Sequence, residues 1–429
     1  MRAIGRWSLA LLTINCIIGS GVFGLPAVIA GLLGKASVVA VVIAGAAIGV
    51  VMACFAEVAS QFTETGGPYL FVRVAFGRLM GIEVAWLVWV VRLTACAANA
   101  NLFVTYLGEF WPQATRPVPQ FVVLTLLIGI LAAINYRGVQ AGTRVSNIFT
   151  TAKLLSLGLV CVAGAFYLMS THRVALAAAS VSPDTHSWLS AVVLLIFAYG
   201  GWEAALISMG EAKDPRRDTA FGLLVALITC TVIYALIQWV VVGVLPDPAH
   251  SERPLADVAR IVLRHGGGAL IAVGALLSIY GYLSGNILAT PRITFALAER
   301  GDFPAVFAAV HPRLRTPYVS IFAFAFLVWL LASFGSFAGN ATLSAGARLF
   351  YYGLVCAALP VLRRKQPGAA IIRLPGGTAI AGLGVLICLG LLVRIDFSKS
   401  LLLVAAVVVG FLNWLVVRSR GAEPGTSSR

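Results

Sequence analysis

The chain has 429 residues, of which 60% are hydrophobic and only 11% are charged. Its mean hydropathy is +0.95. A soluble domain needs far more charge on its surface, so this composition excludes a soluble globular protein and predicts a chain that crosses a membrane many times. The net charge of +15 does not indicate nucleic-acid binding, because in a membrane protein the distribution of Lys and Arg between loops carries the meaning.

A helix needs about 20 apolar residues to cross a bilayer, and by that measure the chain holds about twelve candidate spans. They predict an all-α polytopic membrane protein. The predicted spans are residues 7–33, 38–60, 79–106, 118–134, 148–169, 188–209, 222–245, 268–290, 319–334, 342–362, 376–393 and 401–417. Most Lys and Arg residues fall in the loops on the side of the N-terminus, which predicts that both termini are cytoplasmic. The expected location is the plasma (inner) membrane.

The first predicted span contains a break. Three consecutive small residues, Gly19, Ser20 and Gly21, lower the helix propensity where lipid tolerates no unsatisfied backbone. An unwound backbone persists at membrane depth only if protein buries it or if it lines a cavity that supplies partners for its N–H and C=O groups. The segment therefore predicts a substrate cavity, or alternatively a glycine kink that lets helices pack closely.

The sixth predicted span contains a second break, because Gly200 and Gly201 lie together near its middle. Five spans separate the two breaks, so the second broken helix must run through the membrane in the opposite direction. Corresponding breaks in two inverted halves are typical of secondary transporters that bind substrate near the membrane midplane. A channel would show a polar stripe along a continuous pore, and a membrane enzyme would show clustered Asp, His or Ser; neither pattern is found.

Motifs along most of the chain, from residue 7 to about residue 362, resemble those of amino acid permeases of the amino acid-polyamine-organocation (APC) superfamily, in the family's order. They are Gly-Ser-Gly-Val-Phe at 19–23 with Pro26, Glu-Thr-Gly-Gly-Pro-Tyr at 64–69, Asn-Tyr-Arg-Gly-Val at 135–139, Asn-Ile-Phe-Thr-Thr-Ala-Lys at 147–153, Phe-Ala-Tyr-Gly-Gly-Trp-Glu at 197–203, Glu-Ala-Lys-Asp-Pro at 211–215 and the stretch 291–304.

The resemblance implies the LeuT-like fold, in which five plus five spans form an inverted repeat with discontinuous helices 1 and 6. Two peripheral C-terminal helices follow the repeat. The implied division of the chain is a first repeat at 1–170, a second repeat at 185–363, transmembrane helices 11 and 12 at 370–418, and a tail at 419–429. The Gly, Pro and Ser content of residues 419–429 predicts that this cytoplasmic tail is disordered.

The breaks predict the chemistry of the substrate. A half-helix starting near Gly21 presents free N–H groups and a positive dipole end, which suit a carboxylate. Half-helices ending near Ile18 and Tyr199 offer unpaired carbonyls to an ammonium group. A zwitterionic α-amino acid meets both requirements. The predicted substrate-binding residues are Ile17, Ile18, Gly19, Ser20, Gly21, Val22, Ala95, Cys96, Asn99, Phe197, Ala198, Tyr199, Gly200, Gly201 and Tyr280.

The resemblance places Phe197 at the position of an aromatic gate over the bound substrate, although a buried phenylalanine in a membrane span is by default a packing residue. Small residues of the third span, Ala95, Cys96 and Asn99, are predicted to face it and leave room for the substrate's side chain.

Besides Glu57 and Glu83, which lie close to span ends and are expected to be interfacial, four charged residues lie deeper inside predicted spans: Arg92, Lys153, Glu203 and Arg348. A lone charge there costs several kcal/mol. Such residues are functional candidates; the alternatives are mutual pairing and snorkelling to the interface. The resemblance adds that, in sodium-independent permeases, a lysine matching Lys153 occupies the position of a sodium ion. Related permeases for neutral, aromatic and cationic substrates share a glutamate matching Glu203.

Lys153 is the predicted coupling residue, with Glu203 and Ser284. Burial disfavours the charged form of a lysine, so Lys153 can gain and lose a proton. When protonated, it would donate to carbonyls near Ile18 and to a hydroxyl such as that of Ser284; when deprotonated, it would release them. The rival prediction is a static Lys153–Glu203 ion pair.

These patterns predict a secondary active transporter that moves amino acids by alternating access with proton symport. A neutral substrate is favoured because Arg92 would repel a cation unless it is already paired. The alternative is an antiporter that exchanges cationic amino acids or polyamines. The cysteines and histidines show no metal-ligand spacing, so neither a metal nor a cofactor is expected.

Overall fold

The structure is a computed structural model that describes residues 5–62, 66–138, 143–171, 183–203, 206, 214–395 and 397–418. Within these ranges the chain is helical and forms no β-strand. The helices are α1 (Arg6–Ile17), α2 (Gly21–Leu33), α3 (Ser37–Ala59), α4 (Gly67–Phe76), α5 (Arg78–Leu107), α6 (Pro117–Tyr136), α7 (Thr143–Ser170), α8 (Thr185–Tyr199), α9 (Pro215–Val244), α10 (Pro254–Val262), α11 (Gly267–Glu299), α12 (Tyr318–Phe334), α13 (Phe337–Lys365), α14 (Gly377–Leu392) and α15 (Phe397–Val417). The predicted tail 419–429 and parts of the motifs at 64–69, 135–139 and 211–215 lie outside the described residues.

Seven helical stretches of the described chain are long and apolar enough to cross a membrane. They are Gly21–Ala59, Arg78–Leu107, Pro117–Tyr136, Lys153–Ser170, Arg217–Val244, Gly267–Glu299 and Phe337–Lys365. Shorter apolar helices occupy Thr185–Tyr199, Tyr318–Phe334, Gly377–Leu392 and Leu401–Val417. The prediction of an all-α polytopic membrane protein is confirmed, whereas the count of twelve spans and the inverted repeat stay predictions.

Both predicted breaks are helix ends in the structure. The first apolar stretch is divided between α1, which ends at Ile17, and α2, which begins at Gly21. Helix α8 ends at Tyr199, and Gly201 has a φ of +113°, a conformation that glycine adopts readily and other residues rarely. The local glycine content therefore correctly predicted where both helices stop.

Helix α5 lies at the centre of the molecule, and it is the most buried of the membrane-capable helices. It packs against α11 and α13, while α11 also packs against α7. Helix α1 packs against α9, and α2 packs against α8. The two breaks are thereby held together on one side, and α5, α7, α11 and α13 surround the space beside them.

The short helix α4, outside the predicted spans, is tied to the end of α11 by Asp302, whose side chain is fully buried. Arg73 Nη1 lies 2.7 Å from Asp302 Oδ2, and Arg78 Nε lies 2.9 Å from Oδ1. The hydroxyl of Tyr69 also donates to Asp302. Burial, together with this carboxylate, raises the pKa of Tyr69 to about 12, so Tyr69 stays a neutral donor at physiological pH.

Candidate functional site

The two helix breaks touch each other. A Cβ atom at Gly21 would lie 2.8 Å from the Cα of Ala198, and a Cβ atom at Gly201 would overlap the carbonyl oxygen of Cys16. Real Cβ atoms do not approach other atoms so closely, so only glycine fits at these two positions. The glycines that end the helices thus also allow the two breaks to meet.

Lys153 holds the carbonyl end of α1. Its Nζ atom donates to the carbonyl oxygens of Asn15, at 2.9 Å, and Ile18, at 2.7 Å. The negative end of a helix dipole favours a cation, and both carbonyls belong to the last turn of α1 or to the break. The Ile18 contact is the one expected from the sequence for a protonated lysine. Ser284 lines the same cavity as Lys153, but in the described part of the chain it is not among the acceptors of Lys153.

Tyr234, on α9, connects the two breaks. Its hydroxyl lies 3.1 Å from the carbonyl oxygen of Ile17 and 3.1 Å from that of Ala198, so it can donate to either one at a time. The sequence analysis missed this residue, because one tyrosine within a long apolar helix carries no motif or charge that marks it.

The start of α2 supplies the opposite chemistry. Its first N–H groups have no partner within the helix and form the positive end of the helix dipole. Ser20, at the N-cap, makes no side-chain capping bond. Its hydroxyl is buried and has no hydrogen-bond partner among the described residues. This end of the break therefore has donors to offer to a carboxylate.

The carboxylate of Glu203 accepts four hydrogen bonds. The N–H of Gly201 donates to Oε2 at 2.7 Å. Three side chains donate to Oε1: Arg348 at 3.2 Å, Tyr351 at 2.6 Å and Tyr352 at 2.5 Å. Glu203 thus links the second break to α13, and its charge is balanced by that of Arg348.

The rival prediction, a static Lys153–Glu203 ion pair, is wrong: among the described residues the ionic partner of Glu203 is Arg348. Mutual pairing, which is the alternative to a transport function for the charges inside the membrane, therefore explains the burial of Glu203 and Arg348. The side chains of this pair are 12% and 5% exposed, respectively. Arg348 also lies against Gly200, where any Cβ atom would overlap its guanidinium.

A cavity of about 390 Å³ lies beside the broken end of α1, between α5, α7, α11 and α13. Of the predicted site residues, it is lined by Ile18, Gly19, Lys153, Gly201, Glu203 and Ser284. Its other described lining residues are Asn15, Cys16, Val88, Val91, Arg92, Ser278, Gly281, Tyr282, Gly285, Asn286, Leu288, Arg348 and Tyr351. The cavity thus joins the backbone of both breaks to the charged residues of the membrane interior.

The other predicted substrate-binding residues do not line this cavity. Most of them are buried: Ile17, Ser20, Gly21, Val22, Ala95, Cys96, Asn99, Phe197, Ala198, Tyr199 and Gly200. Of these, Gly21, Val22 and Ala198 line a second cavity, of about 20 Å³. Tyr280 is half-buried, and Tyr282, two residues further along α11, lines the cavity in its place. The ring of Phe197 packs edge-on against Phe337, with 6.2 Å between ring centroids. Its role as a gate stays a prediction.

The remaining intramembrane charge, Arg92, lines the cavity from α5. Its Nη1 donates to Oδ1 of Asn286 at 3.2 Å. No ion pair of Arg92 occurs within the part of the chain that the structure describes. Arg92 and Arg348 thus differ, since only the second has a carboxylate partner.

The described chain forms an all-helical membrane fold in which two touching helix breaks lie beside a cavity, an arrangement typical of transporters. The family model for amino acid permeases matches residues 4–412, and the chain belongs to this family of transporters.

Its relatives differ in the substrates that their names give. The chain is 28% identical to the branched-chain amino acid permease BcaP of Bacillus subtilis, over 97% of this chain and 91% of that protein. It is 27% identical to the methylthioribose transporter of the same organism, over 96% and 92%. Identity to the cationic amino acid transporter 4 of Mus musculus is 26%, over 88% of this chain and 63% of that protein.

Proposed function

We propose that this permease is a secondary active transporter that moves α-amino acids across the plasma membrane by alternating access. The observation that carries the proposal is the contact between the two breaks. It places the first N–H groups of α2 close to the carbonyls at the end of α8, near a cavity of about 390 Å³. A substrate with one carboxylate and one ammonium group satisfies both sets of backbone groups.

The position of the cavity supports a conformation of the protein in which the cavity is open toward the cytoplasm. The cavity is lined by Asn15 and Cys16 from the last turn of α1, and by no described residue of α2. On the other side of the break, the hydroxyl of Tyr106 donates to the carbonyl of Phe23 at 3.0 Å and holds α2 against α5. With the N-terminus in the cytoplasm, as the loop charges predict, the open side faces inward.

We further propose that protons drive accumulation through Lys153. This residue is 7% exposed, and the acceptors it meets are neutral carbonyls rather than a carboxylate. Loss of its proton would remove the positive charge that strengthens both hydrogen bonds to the end of α1. That loss would free the half-helix to move relative to α7. Exchange without proton coupling, as in an antiporter, is the alternative.

The charges around the cavity disfavour a cationic side chain on the substrate. Arg92 has no carboxylate partner among the described residues, and the charge of Glu203 is already balanced by Arg348. A lysine or agmatine side chain would meet net repulsion there. We therefore propose a substrate whose side chain carries no positive charge, which includes the neutral amino acids predicted from the sequence.

Uptake into proteoliposomes by a Gly19 variant tests the proposal. Gly19 lines the cavity, and a Cβ atom there would have no neighbour closer than 3.8 Å. Gly19→Leu should fill the cavity without disturbing the packing, so uptake of labelled amino acids should be lost while the protein stays folded. Gly158→Leu is the matched control, because a Cβ atom at this exposed glycine of α7 meets nothing within 4 Å.

The panel should contain neutral, acidic and cationic amino acids together with agmatine, each with and without an inward proton gradient. Transport of any amino acid by the parent and the Gly158 variant, but not by Gly19→Leu, supports the proposal. If the parent takes up none of them, or if a monodisperse Gly19→Leu preparation transports as the parent does, the proposed site is wrong.

A further inference from the structure

The cavity beside the helix breaks carries an uncompensated positive charge. Among its described lining residues, Glu203 is the acidic residue, and its charge is taken up by Arg348 at 3.2 Å. The other two basic residues of the lining, Arg92 and Lys153, have no acidic partner among the described lining residues. Even if Lys153 has lost its proton, Arg92 leaves the lining with a net charge of at least +1. A charge at this depth is costly unless an opposite charge accompanies it.

The geometry of Arg92 leaves its guanidinium available to a ligand. The amide of Asn286 donates through Nδ2 to the carbonyl of Tyr282 at 3.0 Å, which turns Oδ1 of Asn286 toward Arg92. That oxygen accepts one hydrogen bond from Nη1 at 3.2 Å. A guanidinium has five N–H donors, so this single anchor positions the group while most of its donors remain unused by the described residues.

The contrast with Arg348 shows what Arg92 lacks. Arg348 is 5% exposed, meets a carboxylate and lies over the ring of Phe197. Arg92 is half-buried, faces the cavity and meets only a neutral amide oxygen in the described structure. A carboxylate fits the planar donors of a guanidinium in a bidentate arrangement, and such charge-assisted bonds are about twice as strong as neutral ones.

We infer that the transported molecule itself supplies the missing anion, as an amino acid with an acidic side chain whose carboxylate binds Arg92. This inference rests on the proposed function and narrows it, since the zwitterionic part still binds at the two breaks. Gly19, Gly201 and Arg92 all line one cavity of about 390 Å³, so a single small molecule can contact the breaks and Arg92 together.

Competition between glutamate and glutamine tests this inference, because the two amino acids have nearly the same shape and differ in side-chain charge. Binding to the purified protein is measured by displacement of a labelled amino acid that the parent binds, with aspartate and asparagine as a second pair. We expect glutamate to bind at least tenfold more tightly than glutamine, since one charge-assisted contact is worth about that factor or more.

Three variants assign the preference to Arg92. Arg92→Gln should bring the glutamate-to-glutamine ratio close to one while neutral amino acids still bind. Arg92→Lys should keep part of the preference, because it retains the charge but loses the bidentate geometry. Arg116→Gln is the matched control, because this exposed arginine at the N-cap of α6 lies outside the cavity lining, and its ratio should equal that of the parent.

The outcomes separate the two proposals. If no amino acid binds at all, the proposed function fails. If neutral amino acids bind and glutamine binds as tightly as glutamate, the function stands and this inference is overturned. A glutamate preference that persists in Arg92→Gln also overturns it. Should Arg92→Gln not fold, the ratio in the parent and in Arg92→Lys decides alone.

Discussion

Replacing Glu203 by glutamine should destabilise the protein strongly, because this carboxylate accepts hydrogen bonds both from the second break and from α13. Removing one member of a buried ion pair leaves an uncompensated charge and costs about 3–5 kcal/mol. Here that charge is Arg348, 3.2 Å away. The amide also presents N–H donors where Oε2 now accepts the N–H of Gly201 at 2.7 Å, which adds about 1–3 kcal/mol for an unsatisfied buried group.

The two costs overlap, since the side chain can rotate to favour one partner. We therefore expect the free energy of unfolding of Glu203→Gln to fall by about 3–5 kcal/mol in total. Unfolding by sodium dodecyl sulfate in mixed micelles, followed through tryptophan fluorescence, measures this change. The double variant Glu203→Gln/Arg348→Met should recover about 2 kcal/mol of it, because a buried charge without its partner costs more than an apolar side chain of similar volume.

The matched control is Glu109→Gln. The Glu109 side chain is 12% exposed, as that of Glu203 is, but its partners Arg253 and Arg260 are 22% and 49% exposed. Water can therefore solvate the cations that the substitution leaves behind, and the expected cost is about 1 kcal/mol. The reasoning is refuted if Glu203→Gln loses no more stability than Glu109→Gln. It is equally refuted if the double variant is less stable than the single one.

Two further predictions concern the contacts at the breaks. Lys153→Ala should still exchange labelled for unlabelled substrate but should no longer accumulate it under an inward proton gradient. If this variant accumulates substrate as the parent does, or if accumulation requires sodium, the coupling role of Lys153 is contradicted. Tyr234→Phe removes the donor shared by the carbonyls of Ile17 and Ala198. The free energy of unfolding should therefore fall by about 1 kcal/mol, and substrate affinity should drop. Tyr318→Phe, at an exposed position, should behave as the parent in both assays.

Several features of this protein follow from local sequence alone. Hydropathy predicts the membrane helices because each span is a property of about 20 consecutive residues. The ends of α1 and α8 are equally local, since small residues and paired glycines lower helix propensity wherever they occur. The N-terminal prolines of α6 and α9 likewise mark helix starts, because a proline in the first turn lacks only an N–H that would have no partner there.

The contacts that turn these breaks into a candidate site depend on residues far apart in the chain. Glu203 and Arg348 are separated by 145 positions, and no local pattern shows that Glu203 pairs with Arg348 rather than with Lys153. Ala95 and Cys96 are predicted to face the substrate, while Val91 and Arg92 are the nearby residues of α5 that line the cavity. Which face of a buried, mostly apolar helix meets a neighbour is decided by the packing of the helices. The local sequence of such a helix does not show this face, because it has no polar stripe.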